Sequence, residues 1–582
     1  MFLSVADHTA VPVSLQRYAR PSLICNALFC LCCIAVAHGQ VQTAQPDDEP
    51  RKISGSVINS VTKAPIARAL VYTLDNRLAM LTDGEGHFEF TVPKETAGIG
   101  GEMVSFSGPH EYHGCSSWFQ ARKPGYLDCI DAPASDSEMT VALVPEAIIH
   151  GRVSVSSSEP LAGTEVQLFC REVMDGLPRW MPRNTVRTNS AGEFRFAELP
   201  AGECKLLTHE RTDDDPDANV PGRMYAYPPV FYPAAADFTS AETIRVLAGQ
   251  SVEADLVAAR QPYYHVNIPV ANSDISSGLN VTVRSQAGPG YSLGYSPVTK
   301  RIEGFLPSGN YVVEATSYGP SVASGVVNLK VEGAAADGPV MALVPGGSIT
   351  LNVKEQFADK APYNGSTSWR VGERTITLRG PRAYLQAQLE PAGDSEPAGS
   401  ASLRPPTGPN DESFVLENVL PGRYWLRLST VRGYVASARM ADVDLLRQPL
   451  VVTPGLAAPI EVELRDDTAE LEGTVTGVEP ASAGPAFSVS RQQVSIYCVP
   501  LPDSQGQFNQ TVTGGGDEFH HPMMAPGDYR ILAFANRQLH LPYRDAEAMK
   551  AYEARGPVVH LSAGQKVSVQ VPLITDSDVA EK

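Results

Sequence analysis

Two clusters in this sequence carry residue types that bind metals. His110-Glu-Tyr-His113 is followed by Cys115, a His/His/Cys set of the kind zinc accepts. The zinc-protease pattern needs its two histidines four apart on a helix, so that both face one ion. Here they are three apart in a stretch flanked by Gly, Ser and Pro, and an ordinary polar loop is the simpler reading. Asp213, Asp215, Asp217 and Asn219 alternate like the opening ligands of a calcium loop. Such a loop also wants a glycine at its sixth position and a bidentate glutamate at its twelfth. Counted from Asp213, those places hold Ala218 and Met224. No metal ligand and no cofactor are therefore expected.

The aromatic residues Tyr225, Tyr227, Phe231 and Tyr232 form the densest such cluster, with Tyr263 and Tyr264 nearby. Flat rings with polar tips suit carbohydrate binding, and these four are the candidate ligand-binding residues. The competing reading is that proline-spaced aromatics anchor a long loop onto a core, since large apolar side chains are more often buried than displayed. For hydrolysis the chain offers no G-x-S-x-G elbow. No phosphate-cradling or dinucleotide fingerprint follows any strand pattern. Neither a catalytic residue nor an enzyme is expected.

What would position such residues is a repeated β-pattern. Phe194-Arg-Phe196 alternates apolar and polar, Leu199-Pro-Ala-Gly202 reads as a turn, and a second alternating run follows. The pattern returns at Ile302 to Val313, Phe414 to Leu428 and Phe519 to Leu532, with turn glycines Gly202, Gly309, Gly422 and Gly527. Period-two alternation marks strands with one buried face, and proline with glycine marks the turn. Each copy therefore predicts a hairpin, repeating at roughly 110 residues, which is one β-domain used several times. The turn-rich composition, 48 glycines and 47 prolines in 582 residues, fits sandwiches or barrels of short strands.

The first repeat adds motifs that name a family. Its strands Ile53-Ser-Gly-Ser-Val57 and Pro65-Ile-Ala-Arg-Ala-Leu-Val71 are followed by Thr82-Asp-Gly-Glu-Gly86 and Phe88-Glu-Phe90. Ala121-Arg-Lys-Pro-Gly-Tyr126 and the alternating Met139 to Val144 complete the set. Together these resemble the carboxypeptidase regulatory-like domain. The resemblance implies a transthyretin-like (prealbumin-like) Greek-key β-sandwich of about seven strands, grouped with carbohydrate-binding-like folds. A fold of this kind does not carry its function with it.

The expected plan is all-β and tandem: 1–39 signal peptide, 40–50 linker, sandwiches over 51–146, 147–260 (with a long insertion), 261–345, 346–466 and 467–575, then a tail over 576–582. One helix is expected, Asp545 to Arg555, from its acidic start and its stop at Gly556. Arg17 and Arg20 precede the apolar run Leu23 to Ala37, which closes on Ala37-His38-Gly39. That is the layout of a secretory signal, too short to span a bilayer at ~20 residues, and no second membrane segment follows. The formal net charge of −19 disfavours nucleic acid. In an oxidising compartment Cys115 with Cys129 and Cys170 with Cys204 are candidate disulfides, leaving Cys498 alone; buried free thiols are the other reading. The expectation is an exported, non-enzymatic envelope or extracellular protein. It either binds a glycan or an envelope protein, or serves as a structural, adhesin-like stalk or as the accessory subunit of an envelope protease or transporter.

Overall fold

The computed structural model describes residues 51–575 outside a set of internal segments, of which 93–118, 129–138, 214–222 and 479–493 are the longest. The protein is all-β, built as β-sandwiches in series. One strand arrangement recurs five times. An opening strand pairs antiparallel on one side and receives the closing strand in parallel on the other. For the first repeat these are Arg51–Asn59 with His87–Val92 and Met139–Leu143. For the second they are Ala147–Val155 with Glu193–Leu199 and the short pair Ser251–Glu253 and Leu256–Ala258. Gln261–Ala271, Gly347–Gln356 and Ala469–Thr476 open the remaining three in the same way. A parallel pair demands a long crossover; here the crossover is the rest of the repeat, so each repeat ends beside its own beginning.

Alternation along these strands builds separate cores. Val57, Val71, Phe88 and Val141 pack together in the first repeat, and Ile149, Leu168, Phe194 and Leu206 in the second. Val266, Ile302 and Val313 pack in the third, Leu351, Leu416, Tyr424 and Val462 in the fourth, and Leu471, Phe519, Tyr529 and Val571 in the fifth.

The expected hairpins are not hairpins. Glu193–Leu199 pairs with Ala147–Val155, whereas Gly202–Thr208 pairs with Glu165–Met174 in the opposing sheet. The same split separates Arg301–Pro307 from Gly309–Ser317 and Phe414–Val419 from Gly422–Thr430. In the fifth repeat Glu518–Met524 pairs with Ala469–Thr476 and Gly527–Phe534 with Ser495–Pro500, and Lys566–Ile574 joins the two ladders into one seven-stranded sheet. Each Pro-x-Gly or Pro-Gly turn is thus a corner at which the chain leaves one ladder for another instead of folding back on itself. A tyrosine two residues past the glycine ties three of the corners: Tyr311 donates its hydroxyl to Pro307 O (2.8 Å), Tyr424 to Leu420 O (2.9 Å) and Tyr529 to Ala525 O (2.6 Å). These are tyrosine corners in the sense known from other sandwiches. The glycine supplies room rather than an unusual φ at Gly309, where a Cβ would lie 3.0 Å from the Tyr311 hydroxyl. In the second repeat the tyrosine position holds Cys204, bonded to Cys170 on the facing strand, and a Cβ at Gly202 would meet nothing within 4 Å.

Two further departures concern local structure. The helix is one short α-turn, Ala546–Met549, continued by a 3-10 turn over Lys550–Tyr552. Asp545 does cap it, accepting from Glu547 N (3.0 Å) and Ala548 N (3.1 Å), but so short a segment has little helical stability of its own. The insertion of the second repeat also contributes to the third. Arg223–Tyr227 adds to the edge of Gln261–Ala271, with Arg211–Thr212 outside it.

Candidate functional site at the seams between repeats

The four aromatic candidates do not share one environment. Phe231 is core, 1% exposed, with its ring edge-on to Phe238 at 5.7 Å. Phe238 in turn meets Phe169 and Trp180. Into this cluster runs Lys205, itself buried, whose amine donates to Phe238 O (2.7 Å) and lies 4.6 Å from the Phe238 ring centroid and 5.2 Å from that of Trp180. Burial pushes the Lys205 amine below its ordinary pKa, and the rings offset part of that cost through cation–π attraction. Tyr232 is half-buried against the core of the second repeat, and burial raises its hydroxyl above the phenolic range, with Glu242 and Asp255 adding to the effect.

Tyr225 and Tyr227 alternate on the inserted strand that joins the second repeat to the third. The Tyr225 ring lies 4.6 Å from the guanidinium of Arg260, and Arg260 pairs with Asp213 at 2.5 Å. Burial, and next Asp213, raise the Tyr227 hydroxyl. Asp213 is thus part of an ion pair; Asp215, Asp217 and Asn219 lie outside the described residues, as do His110, His113, Cys115 and Cys129. Cys170 and Cys204 are joined as a disulfide, and Cys498 is free and buried. Among the described residues, no three His, Cys, Asp or Glu side chains gather closely enough to hold a metal ion.

What the structure does bring together are the seams. Between the last strand of one repeat and the opening strand of the next stand only Val144-Pro145-Glu146, then Ala259-Arg260, then Gly346, then Asp466-Asp467-Thr468. Each linker is pinned. At the first, Glu146 N donates to Gly125 O (3.0 Å) behind it, while its carboxylate accepts from Glu198 N (2.9 Å) ahead. At the second, besides Arg260, the half-buried Glu210 accepts from Ser292 N (2.7 Å) and Ser292 Oγ (2.5 Å). Burial raises the Glu210 carboxyl despite those two bonds. At the third, Gly346 N donates to Val322 O (2.7 Å), and Val322 N donates to the Asn418 side chain (3.3 Å). At the fourth, the Asp466 carboxylate accepts from Ala358 N (2.9 Å) and Asp359 N (3.0 Å). Asp467 accepts from Tyr434 OH and Arg465 Nε (both 3.0 Å). Burial alone would raise the Asp467 carboxyl, but Arg465 and Tyr434 outweigh it and hold it low. Across the same seam Gln507 Nε2 donates to Val435 O (2.6 Å), and Arg447 donates to Ser504 O (2.9 Å).

Chemically this arrangement orients rather than reacts. Linkers of one to three residues are too short to act as flexible coils between neighbours. Sequence reasoning did not reach the contacts that hold the seams, because they join single charges scattered through unremarkable segments.

No protein-family model matches the sequence, and no curated protein sequence does either. Solved structures that align with it include a streptococcal ancillary pilin (12% identity, 50% of this chain and 99% of that chain, TM-score 0.18). BcpA, the major pilin subunit of Bacillus cereus, aligns at 9% identity over 55% of this chain and 99% of that chain, TM-score 0.14. The TIE protein of Bacillus anthracis aligns at 10% identity over 71% of this chain and 68% of that chain, TM-score 0.14.

Proposed function

We propose that this protein is an exported, non-enzymatic structural spacer of the cell envelope. Its sandwich units, divided near 146, 260, 345 and 466, hold fixed positions relative to their neighbours. The observation that carries this reading is the set of linkers of one to three residues, each held by a hydrogen bond or an ion pair to a repeat it joins. A chain selected to sample many orientations would join its modules with polar, slack segments; this one removes the slack. The resemblance of the first repeat to carboxypeptidase regulatory-like domains, which accompany catalytic domains without being catalytic, is consistent with such a role. The signal-like segment at Leu23 to Ala37 would export the chain, and its partners would be envelope proteins that contact exposed strand edges. Among the described residues no helix is long and apolar enough to cross a membrane.

Incubating residues 40–582 with a glycan array and insoluble cell-wall polysaccharides separates this role from sugar recognition. The spacer reading expects no saturable binding. Saturable binding abolished by Tyr225→Ala with Tyr232→Ala would replace it with a glycan-binding module.

A further inference from the structure

One contact joins repeats that are not neighbours. The strands Glu165–Met174 and Leu177–Arg187 form a hairpin whose two-residue loop, Asp175-Gly176, has both φ positive, 48° and 75°, as a type I′ turn requires. Its tip reaches residues of the fourth and fifth repeats. The Asp175 carboxylate accepts from the hydroxyl of Tyr543 and pairs with Arg427 and with Arg544, the last at 2.6 Å. Arg544 N donates to Gly176 O at 3.0 Å. Gly176 is required here for a second reason: a Cβ would fall 2.6 Å from the Tyr543 ring.

The receiving surface is itself organised. Tyr543 stacks on Phe508 at 3.8 Å with the planes 10° apart. The Arg544 guanidinium lies 5.8 Å from the Trp425 ring, and Arg427 is held from its other side by Glu390 at 2.8 Å. Two arginines and a phenol converging on one carboxylate, with a backbone amide for the adjacent carbonyl, make a receptor for an acidic β-turn. The arm that presents the turn is stiffened at its base, where Cys170 is bonded to Cys204 on the neighbouring strand.

We propose that the Asp175–Gly176 tip is a clasp: seated on Arg427, Tyr543 and Arg544 it holds the second repeat against the fourth and fifth. The inference holds whether the array acts as a spacer or as a binder. Its charged groups are only partly shielded, with Asp175 and Arg544 each 33% exposed, so ionic strength should work on the clasp directly.

The amide of Arg544 reports the clasp, because its acceptor is the tip itself. Hydrogen exchange on residues 40–582 should show that amide exchanging at least ~10-fold faster in Asp175→Lys, and faster in 1 M than in 0.1 M salt. Amides of Ser495–Pro500 and Gly527–Phe534, in the body of the same repeat, should keep wild-type protection and so exclude global unfolding. Asp175→Lys combined with Arg544→Asp should recover part of the lost protection. If Asp175→Lys does not fold, Gly176→Val, which removes the turn's φ and its clearance, gives the same test. Unchanged protection at Arg544 in a folded variant would overturn the clasp. Protection that rises with protein concentration together with a dimeric mass would overturn it too, by placing the contact between two copies.

Discussion

Removing single hydroxyls should measure what two of the tyrosine corners, Tyr311 and Tyr529, contribute to their repeats. Tyr311 is 3% exposed, donates to Pro307 O and also shares a hydrogen bond with the Tyr291 hydroxyl. Tyr529 is fully buried, donates to Ala525 O and also accepts from Gln507 N at 3.0 Å. Phenylalanine fills the same ring volume, so the cost is that of polar groups left unpaired in the interior, about 1–3 kcal/mol for each. Each hydroxyl serves two partners, so Tyr311→Phe and Tyr529→Phe should each cost at least about 1–3 kcal/mol. A multi-domain chain does not unfold in one step, so a single melting temperature is the wrong readout. Native-state hydrogen exchange of Gly309–Ser317 and of Gly527–Phe534 measures each corner in its own repeat. Equal and small losses, under about 0.5 kcal/mol at both sites, would refute the claim that these hydroxyls tie their corners.

The second repeat uses a disulfide where its siblings use tyrosine, so Cys170→Ala with Cys204→Ala should lose about 3–4 kcal/mol from that repeat, by loop closure over a separation of 34 residues. Cys170→Ala with Cys204→Tyr should recover part of it, read by exchange at Gly202–Thr208. Asp411 accepts from the Ser413 hydroxyl (2.5 Å) and from Thr407 N (2.9 Å), and lies 3.0 Å from Arg404. These hydrogen bonds, Ser413 first, hold its carboxyl well below the usual range. A depressed folded pKa contributes stability that is complete above the unfolded value near ~4 and is lost as pH falls below it. Asp411→Asn should therefore destabilise the fourth repeat at pH 7 and flatten its acid-unfolding limb, measured by denaturant titration from pH 7 to pH 3.

Much of the fold was legible because burial of one strand face writes itself as alternation. Phe194 and Phe196 are buried where the pattern placed them inward. The corner was misread as a hairpin because Pro-x-Gly punctuates both, and period-two patterning does not say which sheet a strand joins. The signal that separates them was present: a tyrosine two residues past Gly309, Gly422 and Gly527, which only a chain turning back over its own carbonyl needs. Trp425 is half-buried beneath Arg544, because Tyr424 and Leu426 take the inward positions on either side of it. The aromatic cluster was visible as composition, but its division between core (Phe231) and seam (Tyr225 against Arg260) depends on partners distant in sequence. The Asp175 contact spans 368 residues, and nothing local to either end encodes the other.

Fixed spacing of the repeats is the central claim, and small-angle X-ray scattering of residues 40–582 at low protein concentration addresses it most directly. The account predicts a curve reproduced by one conformation of the sandwiches, unchanged across concentrations. A curve that only an ensemble of independently moving repeats can reproduce would contradict it.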